Sequence, residues 1–274
     1  MGKRECDMLK KAAFIGTGNM GGALIRAACR AVGPDQVVIA DYLYEKAQAL
    51  AEELGCTAAR TNGEAAGAAS YVFLCVKPQV LPEVARALAP GLTAGQAVVS
   101  IAAGIRTDAI RAWVGQEVPV LRVMPNTCAA IGQGMLALTA APGVAEVHFG
   151  AVEEILSRAG RVERISEGLM DQFTAVAGCG PAYVYQFIEA LADGGVMTGL
   201  PRREAQIYAA QTVLGAAAMV LESGEHPGAL KDAVCSPGGS TIAGVAALER
   251  RAFRSAAIEA VLAAYEKNVS LGKG

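Results

Sequence analysis

A glycine-rich segment near the start of the chain has the spacing that binds dinucleotides. Gly16, Gly18 and Gly21 form a G-x-G-x-x-G pattern between the apolar run 11–15 and an Ala-, Leu- and Ile-rich segment. The first glycine permits a tight turn, the second lets the backbone approach a pyrophosphate, and the third lets the helix pack close to the strand. The helix start offers free N–H groups and a partial positive charge to the phosphates. The segment predicts a nicotinamide dinucleotide site, and the alternative is a glycine-rich turn that binds nothing.

An acidic residue follows the second apolar run of the chain. Asp41 comes about 20 residues after Gly21, where a carboxylate accepts hydrogen bonds from both ribose hydroxyls of NAD and repels a 2′-phosphate. The next residues, 42–44, offer no Arg or Lys to such a phosphate, and Lys46 is the nearest cation. Asp41 therefore predicts NADH over NADPH, unless it only caps the following helix.

Two further turns follow apolar runs. Val76, Lys77 and Pro78 come after one run, and residues 100–104 come after the next. Ligands of doubly wound sheets lie beyond the carboxyl ends of the strands, so both turns are expected to face the cofactor. Lys77 has a second interpretation, as a solvated surface lysine.

A second glycine loop lies in the C-terminal part of the chain. Residues 236–241 read SPGGST and precede the helical spacing of 242–248. Two glycines before a helix expose backbone N–H groups to an anion, with Ser240 or Thr241 predicted as the N-cap. The loop lacks the length and the lysine of a P-loop, which favours a small carboxylate over a nucleotide. The alternative is a plain capped loop.

The elements that position these residues alternate through the first 165 residues. Short apolar runs alternate with Ala-rich helical segments such as 20–32 and 45–54, which predicts βαβ units and a mostly parallel, Rossmann-like sheet. The predicted strands are 11–15, 37–40, 71–76, 97–101 and 118–123, with 135–139 and 160–165 as added edge strands.

Helical spacing replaces the strands after residue 165. Helices are predicted from Pro181 to about Asp193, from Pro201 to Gly224, from Pro227, and over 242–249 and 253–268. We therefore expect an α/β domain at 1–165 and an all-α domain at 166–274. Small residues over 209–218 permit close helix approach, within one chain or between subunits.

Composition narrows the class of protein. The chain has 274 residues, 53% hydrophobic and 18% charged, which indicates a globular protein, and its net charge of −2 gives no general attraction to nucleic acid. No run reaches the roughly 18 apolar residues that a membrane span needs, so no span is expected. The basic start (Lys3, Arg4) leads into a predicted strand and is not expected to be a signal peptide. Seven cysteines without a C-x-x-C pair favour reduced thiols in a cytoplasm. His148 and His226 have no ligand-spaced partners, so no metal site is expected.

Taken together, these segments resemble the pyrroline-5-carboxylate reductases, over nearly the whole chain. The matching segments are FIGTGNMGGA (14–23), VKPQ (76–79), SIAAGI (100–105), RVMPNT (122–127), AGCGPAYVYQFIEALADGGVMTGLP (177–201), AAQTVLGAA (209–217) and DAVCSPGGSTIAGVAALE (232–249).

The resemblance implies NADH- or NADPH-dependent reduction of 1-pyrroline-5-carboxylate to L-proline, the last step of proline synthesis. It implies a Rossmann-like domain and a helical domain that interlocks two subunits into a homodimer, with five dimers assembling into a decamer. The positions it places around the cofactor are Gly16, Thr17, Gly18, Asn19, Met20, Gly21, Asn62, Val76, Lys77, Pro78, Ala102 and Ala103. Those it places around the substrate carboxylate are Ser236, Gly238, Gly239, Ser240 and Thr241, with Thr241 near the ring nitrogen as the catalytic candidate.

The chain departs from the family pattern at four positions. Cys179, Ser240 and Cys128 replace residues more common in the family, and Asp41 replaces the Asn-Arg or Ser often found in NADPH users.

Two other classes of protein share the first glycine turn. Hydroxyacid dehydrogenases of the 6-phosphogluconate type use a lysine in the helical domain, and this chain has none between Pro78 and Leu230. An NAD-sensing regulator would need an altered substrate loop, whereas SPGGST is intact.

Overall fold

The structure is a computed structural model that describes residues 10–271. Cys6 and the basic residues Lys3 and Arg4, on which part of the sequence interpretation rests, lie outside the described residues. The chain forms two compact units. One contains the chain up to Gly178 together with the segment from Tyr265 on, and the other is Cys179–Ala264.

The first unit is built on one eight-stranded sheet with the order β3-β2-β1-β4-β5-β6-β7-β8. All neighbouring strands are parallel except β6 and β7, which are antiparallel. This arrangement confirms the predicted α/β fold with a mostly parallel sheet. The strands are β1 (Lys10–Ile15), β2 (Val37–Ala40), β3 (Thr57–Ala58), β4 (Ala69–Leu74), β5 (Ala97–Ser100), β6 (Val120–Met124), β7 (Gly134–Ala140) and β8 (Gly160–Arg164).

Helices cover both faces of this sheet. They are α1 (Asn19–Val32), α2 (Tyr44–Leu54), α3 (Asn62–Gly67), α4 (Leu81–Leu88), α5 (Thr107–Val114) and α6 (Glu146–Leu156). Because both faces are buried, the central strands are continuous apolar runs rather than alternating ones. Phe14 on β1 and Phe73 on β4, for example, stack with ring centroids 4.5 Å apart in one of the two cores.

Two features of the sheet differ from the prediction. β3 has only two residues and no apolar run, so hydrophobic patterning carries no signal for it. β7 was expected at an edge but lies between β6 and β8, so of the two strands expected at an edge only β8 is there. Only a short 3-10 turn, Thr127–Ile131, follows β6, so β7 has no crossover helix and must run antiparallel.

Helices dominate the rest of the chain, as predicted. α7 (Met170–Phe173) and a π-helical turn (Thr174–Gly178) close the first unit. The helices that follow are α8 (Gly180–Met197), α9 (Arg202–Ser223), α10 (Pro227–Ala233), α11 (Ser240–Arg250) and α12 (Phe253–Leu271). α9 ends at Gly224 in the left-handed conformation, with φ of 67°, as its sequence predicted.

α8 runs past the glycines that made its end ambiguous in the sequence. A Cβ on Gly195 would lie 3.2 Å from Leu200 Cδ1 and 3.3 Å from Ala205 Cβ. Gly195 therefore serves close packing of α8 against the start of α9 rather than helix termination. The φ of 101° at Gly199 shows that the glycine beyond the helix makes the turn.

The helical unit has a very small core of its own. Within 179–264, all of which the structure describes, the buried hydrophobic residues are Ala192, Ala205 and Ala209. Ile207, Leu214 and Leu221 recur every seventh residue along α9 and are 55%, 59% and 73% exposed. An apolar stripe of this kind on one side of a helix is typical of a surface that packs against another helix.

The boundary between the two compact units lies after Gly178, later in the chain than the predicted boundary at residue 165. Hydrogen bonds explain the difference, because Asn126 Nδ2 donates to Ala177 O over 2.9 Å and Thr107 N donates to Glu167 over 2.7 Å. The assignment of the cofactor to 1–165 and of dimerisation and substrate to 166–274 stays a prediction.

Across residues 10–271, no helix has the length and apolar character needed to cross a membrane.

Candidate functional site

The turn between β1 and α1 needs its first and third glycines for steric reasons. Gly16 has φ of 106°, and a Cβ there would lie 2.6 Å from the carbonyl oxygen of Cys75. A Cβ on Gly21 would overlap the carbonyl oxygen of Gly16 and lie 3.1 Å from Cys75 Cβ. The two glycines thus let α1 begin directly above β1 and β4, as the pattern predicted.

The second glycine leaves open space at the helix start. Gly18 is the exposed N-cap of α1, and a Cβ on it would meet no atom of the described chain within 4 Å. No acidic side chain lies in the first turn of α1. Asn19 is exposed beside Gly18, whereas the half-buried Met20 packs against the core. The cradle therefore fits a pyrophosphate, which would take the space that a Cβ at position 18 would fill.

Asp41 contacts the glycine turn directly. Its Oδ2 accepts hydrogen bonds from the backbone N–H of Thr17 over 2.7 Å and from the Thr17 hydroxyl over 2.8 Å, and its Oδ1 accepts one from Leu43 N over 3.0 Å. Burial acts to raise the pKa of Asp41, but these hydrogen bonds and Lys46 outweigh it and hold the pKa below its ordinary value. The carboxylate is therefore a fixed negative charge beside the turn. It does not cap α2, whose N-cap Leu43 has no side-chain capping bond.

The other predicted cofactor residues lie at the same edge of the sheet. Asn62 begins α3, Val76–Pro78 follow β4, and Ala102 and Ala103 follow β5. Lys77 and Ala103 are exposed, Asn62, Val76 and Pro78 are half-buried, and Ala102 is buried. Because the strands β1 to β5 are parallel, their carboxyl ends bring these loops together on one side of the first unit.

A cavity of about 570 Å³ opens at this side of the first unit. Pro78, Ala103, Ile105 and Trp113 supply apolar walls, and Arg106 and Asp171 are among its polar residues. Its size falls in the ordinary range for small-molecule sites.

The second glycine loop belongs to the helical unit. Gly238 has φ of 69°, in the left-handed region that favours glycine, and a Cβ on Gly239 would overlap Ser236 Oγ and lie 3.2 Å from Ser236 O, so the turn favours glycine at both positions. Gly239 is the N-cap of α11, and it has no side-chain capping bond. The prediction that Ser240 or Thr241 is the N-cap is therefore wrong: extended backbone at Gly239 lets the helix begin one residue earlier than the hydroxyl residues suggested.

Thr241 lies in the first turn of α11 and is exposed. Since the cap position is taken by Gly239, its hydroxyl is not committed to capping the helix. The first turn contains no acidic residue, so its backbone N–H groups and the two hydroxyls of Ser240 and Thr241 form a neutral to positive site. This site suits the carboxylate that the sequence predicted there.

Family models match both parts of the chain. The family described as pyrroline-5-carboxylate reductase dimerisation matches residues 167–271, and the family described as NADP oxidoreductase, coenzyme F420-dependent, matches residues 11–104. The dimerisation family covers the helices with the exposed apolar stripe, and both findings support a homo-oligomer.

Curated relatives match along almost the full length. The pyrroline-5-carboxylate reductase of Escherichia coli strain K12 is 42% identical over 97% of this chain and 100% of that protein. The protein of the same name from Synechocystis is 43% identical over 95% of this chain and 97% of that protein.

Solved structures agree with the sequence relatives. A pyrroline-5-carboxylate reductase from Coxiella burnetii superposes with a TM-score of 0.90 at 31% identity, over 97% of this chain and 99% of that chain. A pyrroline carboxylate reductase from Plasmodium falciparum, solved with NADP bound, gives a TM-score of 0.86 at 31% identity, over 96% of this chain and 99% of that chain.

Proposed function

Because the chain belongs to the pyrroline-5-carboxylate reductase family, we propose that it reduces 1-pyrroline-5-carboxylate to L-proline with NADH or NADPH, in the last step of proline synthesis. The observation that carries the proposal is the turn Gly16–Gly21, in which two glycines are required by the fold while Gly18 leaves open space at the start of α1. A turn that only connected β1 to α1 would not need that open position.

The first unit would hold the cofactor at the carboxyl ends of its strands. The backbone of 16–21 would bind the pyrophosphate, Asp41 would face the adenosine ribose, and the loops at Asn62, 76–78 and 102–103 would line the remainder. The cofactor, when bound, supplies the hydride that the imine carbon accepts. The charge of Asp41 beside the ribose favours NADH over NADPH, since a 2′-phosphate would be repelled there.

The loop 236–241 would hold the substrate carboxylate. Its backbone N–H groups at the start of α11 suit a small anion, and Ser236, Gly238, Gly239 and Ser240 would surround it. The Thr241 hydroxyl would donate a hydrogen bond to the imine nitrogen or pass it a proton from water. The nitrogen gains this proton before or during hydride transfer, so that the C=N bond becomes the C–N single bond and N–H of proline.

Positioning rather than acid catalysis dominates in this proposal. No His or Glu of the candidate site stands out as an acid, whereas holding two reactants about 3–3.5 Å apart in the right orientation removes much of the barrier.

We also propose that the homo-oligomer is built from dimers joined by the helical units, that five dimers form a decamer, and that the enzyme works in the cytoplasm.

A spectrophotometric assay tests the function. Purified protein should oxidise NADH or NADPH only when 1-pyrroline-5-carboxylate is added, and proline should appear in equal amount. Oxidation of a 2-hydroxy or 3-hydroxy acid with NAD instead would indicate a hydroxyacid dehydrogenase. Cofactor binding with no turnover of the imine would indicate a regulator, and either result would contradict the proposal.

A further inference from the structure

Glu167 caps a helix from 60 residues away in the sequence. The backbone N–H of Thr107, the first residue of α5, donates to Glu167 Oε1 over 2.7 Å, and the Thr107 hydroxyl donates to Oε2 over 2.7 Å. The N-cap residue of α5 is Arg106, whose side chain makes no capping bond. Glu167 therefore satisfies an N–H group that local sequence leaves without a partner.

Two arginines lie within ion-pair distance of this carboxylate. Arg122 Nη1 lies 3.7 Å from Glu167 Oε1, and Arg106 Nη2 lies 3.8 Å from Oε2. Arg122 is only 3% exposed, and within residues 10–271 its buried Nε has no hydrogen-bond partner. Burial lowers the pKa of Arg122, opposed by the charges of Glu167 and Asp171. A buried guanidinium needs a counter-charge, so Arg122 and Glu167 hold each other in place.

The segment fixed in this way is the loop between β5 and α5. At its start, Ser100 Oγ accepts a hydrogen bond from Ala102 N over 3.2 Å. In its middle, Gly104 turns the chain with φ of 74°. At its end, Thr107 is held by Glu167. Ala102 and Ala103, two of the predicted cofactor residues, thus belong to a short loop with both ends anchored, which leaves its backbone few conformations.

We propose that Glu167 and Thr107 are positioning residues that hold the backbone of Ala102 and Ala103 against the cofactor. This inference rests on the proposed function, because it assigns the purpose of the anchor to the cofactor site of the reductase. Neither residue contacts the reacting atoms. Their effect reaches the cofactor only through the loop.

Isosteric substitution at Thr107 provides the test. Thr107→Val removes the hydroxyl donor and keeps both the shape and the backbone hydrogen bond, whereas Thr107→Ser keeps both donors. Thr93→Val is the control, because Thr93 also donates its N–H and its hydroxyl to one side chain, the amide oxygen of Gln96, over 3.0 and 3.2 Å, but before β5 at the opposite end of the strand. The dissociation constants of NADH and NADPH are measured by calorimetry on the full-length protein, and the KM for the imine is measured alongside.

Thr107→Val should weaken cofactor binding by up to about tenfold, because the free energy of one hydrogen bond to a charged group is the most that the released loop must recover when the cofactor binds, and the KM for the imine should stay unchanged. Thr107→Ser and Thr93→Val should bind the cofactor like the wild type. Glu167→Gln should weaken cofactor binding more than Thr107→Val does. The double variant should weaken it by less than the sum of the two single effects, in free energy. An unchanged dissociation constant in Thr107→Val, or an equal rise in Thr93→Val, would overturn the proposal.

The two proposals fail in different ways. A wild type that binds NADH or NADPH but does not reduce the imine contradicts the proposed function, while the binding series still decides whether Glu167 and Thr107 position the loop. A wild type that binds neither cofactor contradicts both.

Discussion

Asp41 Oδ2 accepts two hydrogen bonds from Thr17, one from its backbone N–H and one from its hydroxyl. A carboxylate oxygen has two lone pairs, so Oδ2 is fully used, and Oδ1 keeps one lone pair beside its bond from Leu43 N. In this geometry Asp41 can accept one ribose hydroxyl rather than the two that the sequence interpretation assigned to it. The same residue that orders the glycine turn would also place a negative charge next to the ribose of a dinucleotide bound as proposed.

Replacing this charge should change the cofactor preference. Asp41→Asn keeps an oxygen that accepts from Thr17 but removes the charge that would repel a 2′-phosphate. We expect the ratio of kcat/KM for NADPH to that for NADH to rise about tenfold, within the range expected for two charges separated by a few ångströms near a protein surface. The measurement is steady-state kinetics with both cofactors at saturating imine.

Glu52→Gln, on the same strand-to-helix unit but near the end of α2, serves as its control and should leave the ratio unchanged. If wild type already prefers NADPH strongly, or if Asp41→Asn leaves the ratio as it was, the role given to Asp41 is wrong.

The sheet was predictable because each of its long strands is buried on both faces and therefore stands out as an apolar run. The parts that escaped prediction depend on contacts distant in sequence. The position of β7 inside the sheet follows from the lack of a crossover after β6, and the length of α8 follows from Gly195 packing against Leu200 and Ala205. A glycine that ends a helix and one that admits a neighbouring helix look the same in a single sequence.

Two neighbouring glycines of α1 should respond in opposite ways to the same substitution. Gly21→Ala places a Cβ against the backbone carbonyl of Gly16, which cannot move freely, and should destabilise the fold by about 1–3 kcal/mol. Gly22→Ala meets nothing closer than Thr17 O at 3.7 Å. It should stabilise the helix by about 0.5–1 kcal/mol. Thermal unfolding of both variants at equal protein concentration checks the pair, and similar melting temperatures would contradict the packing argument.

Gly18→Ala separates cofactor binding from folding. The new Cβ meets no atom of the described chain within 4 Å, so the melting temperature should stay within a degree or two of the wild type, given about 2–4 °C per kcal/mol for a chain of this size. The methyl group would occupy the place of the pyrophosphate, and the KM for the cofactor should rise at least about tenfold, since van der Waals overlap displaces the phosphates from the helix start. A normal KM for NADH and NADPH would show that the cofactor does not approach this turn.

Only part of the candidate site could be predicted from the sequence. The glycine turns were visible because their spacing is local, and each contains a glycine with positive φ, Gly16 in the first and Gly238 in the second. The contact of Glu167 with Thr107 joins residues 60 apart, and neither has a motif of its own. The one local signal was Arg122, a charged residue inside the apolar strand β6, which implies a buried partner from elsewhere in the chain.

The apolar stripe of α9 should control assembly. Leu214→Glu puts a charge in the middle of the exposed series Ile207, Leu214 and Leu221, and a buried charge without a partner strongly opposes association. We expect sedimentation velocity to show dissociation to monomers, with loss of reductase activity. Ala94→Glu adds the same charge to an exposed loop of the first unit and should leave the oligomer intact. An intact oligomer in Leu214→Glu would move the interface away from this stripe.

Thr241 should affect turnover without affecting stability or cofactor binding. Its side chain is exposed and does not cap α11, so Thr241→Val removes a hydroxyl that the fold does not need. If that hydroxyl donates to the imine nitrogen, kcat should fall about tenfold, as expected when a hydrogen bond to a group gaining charge is lost, while Thr241→Ser keeps most of the rate. Thr212→Val, which removes a hydroxyl bonded over 2.7 Å to Tyr208 O within α9, is the matched control and should keep the wild-type kcat. Wild-type kcat and imine KM in Thr241→Val would exclude Thr241 from the reaction and leave proton delivery to water alone.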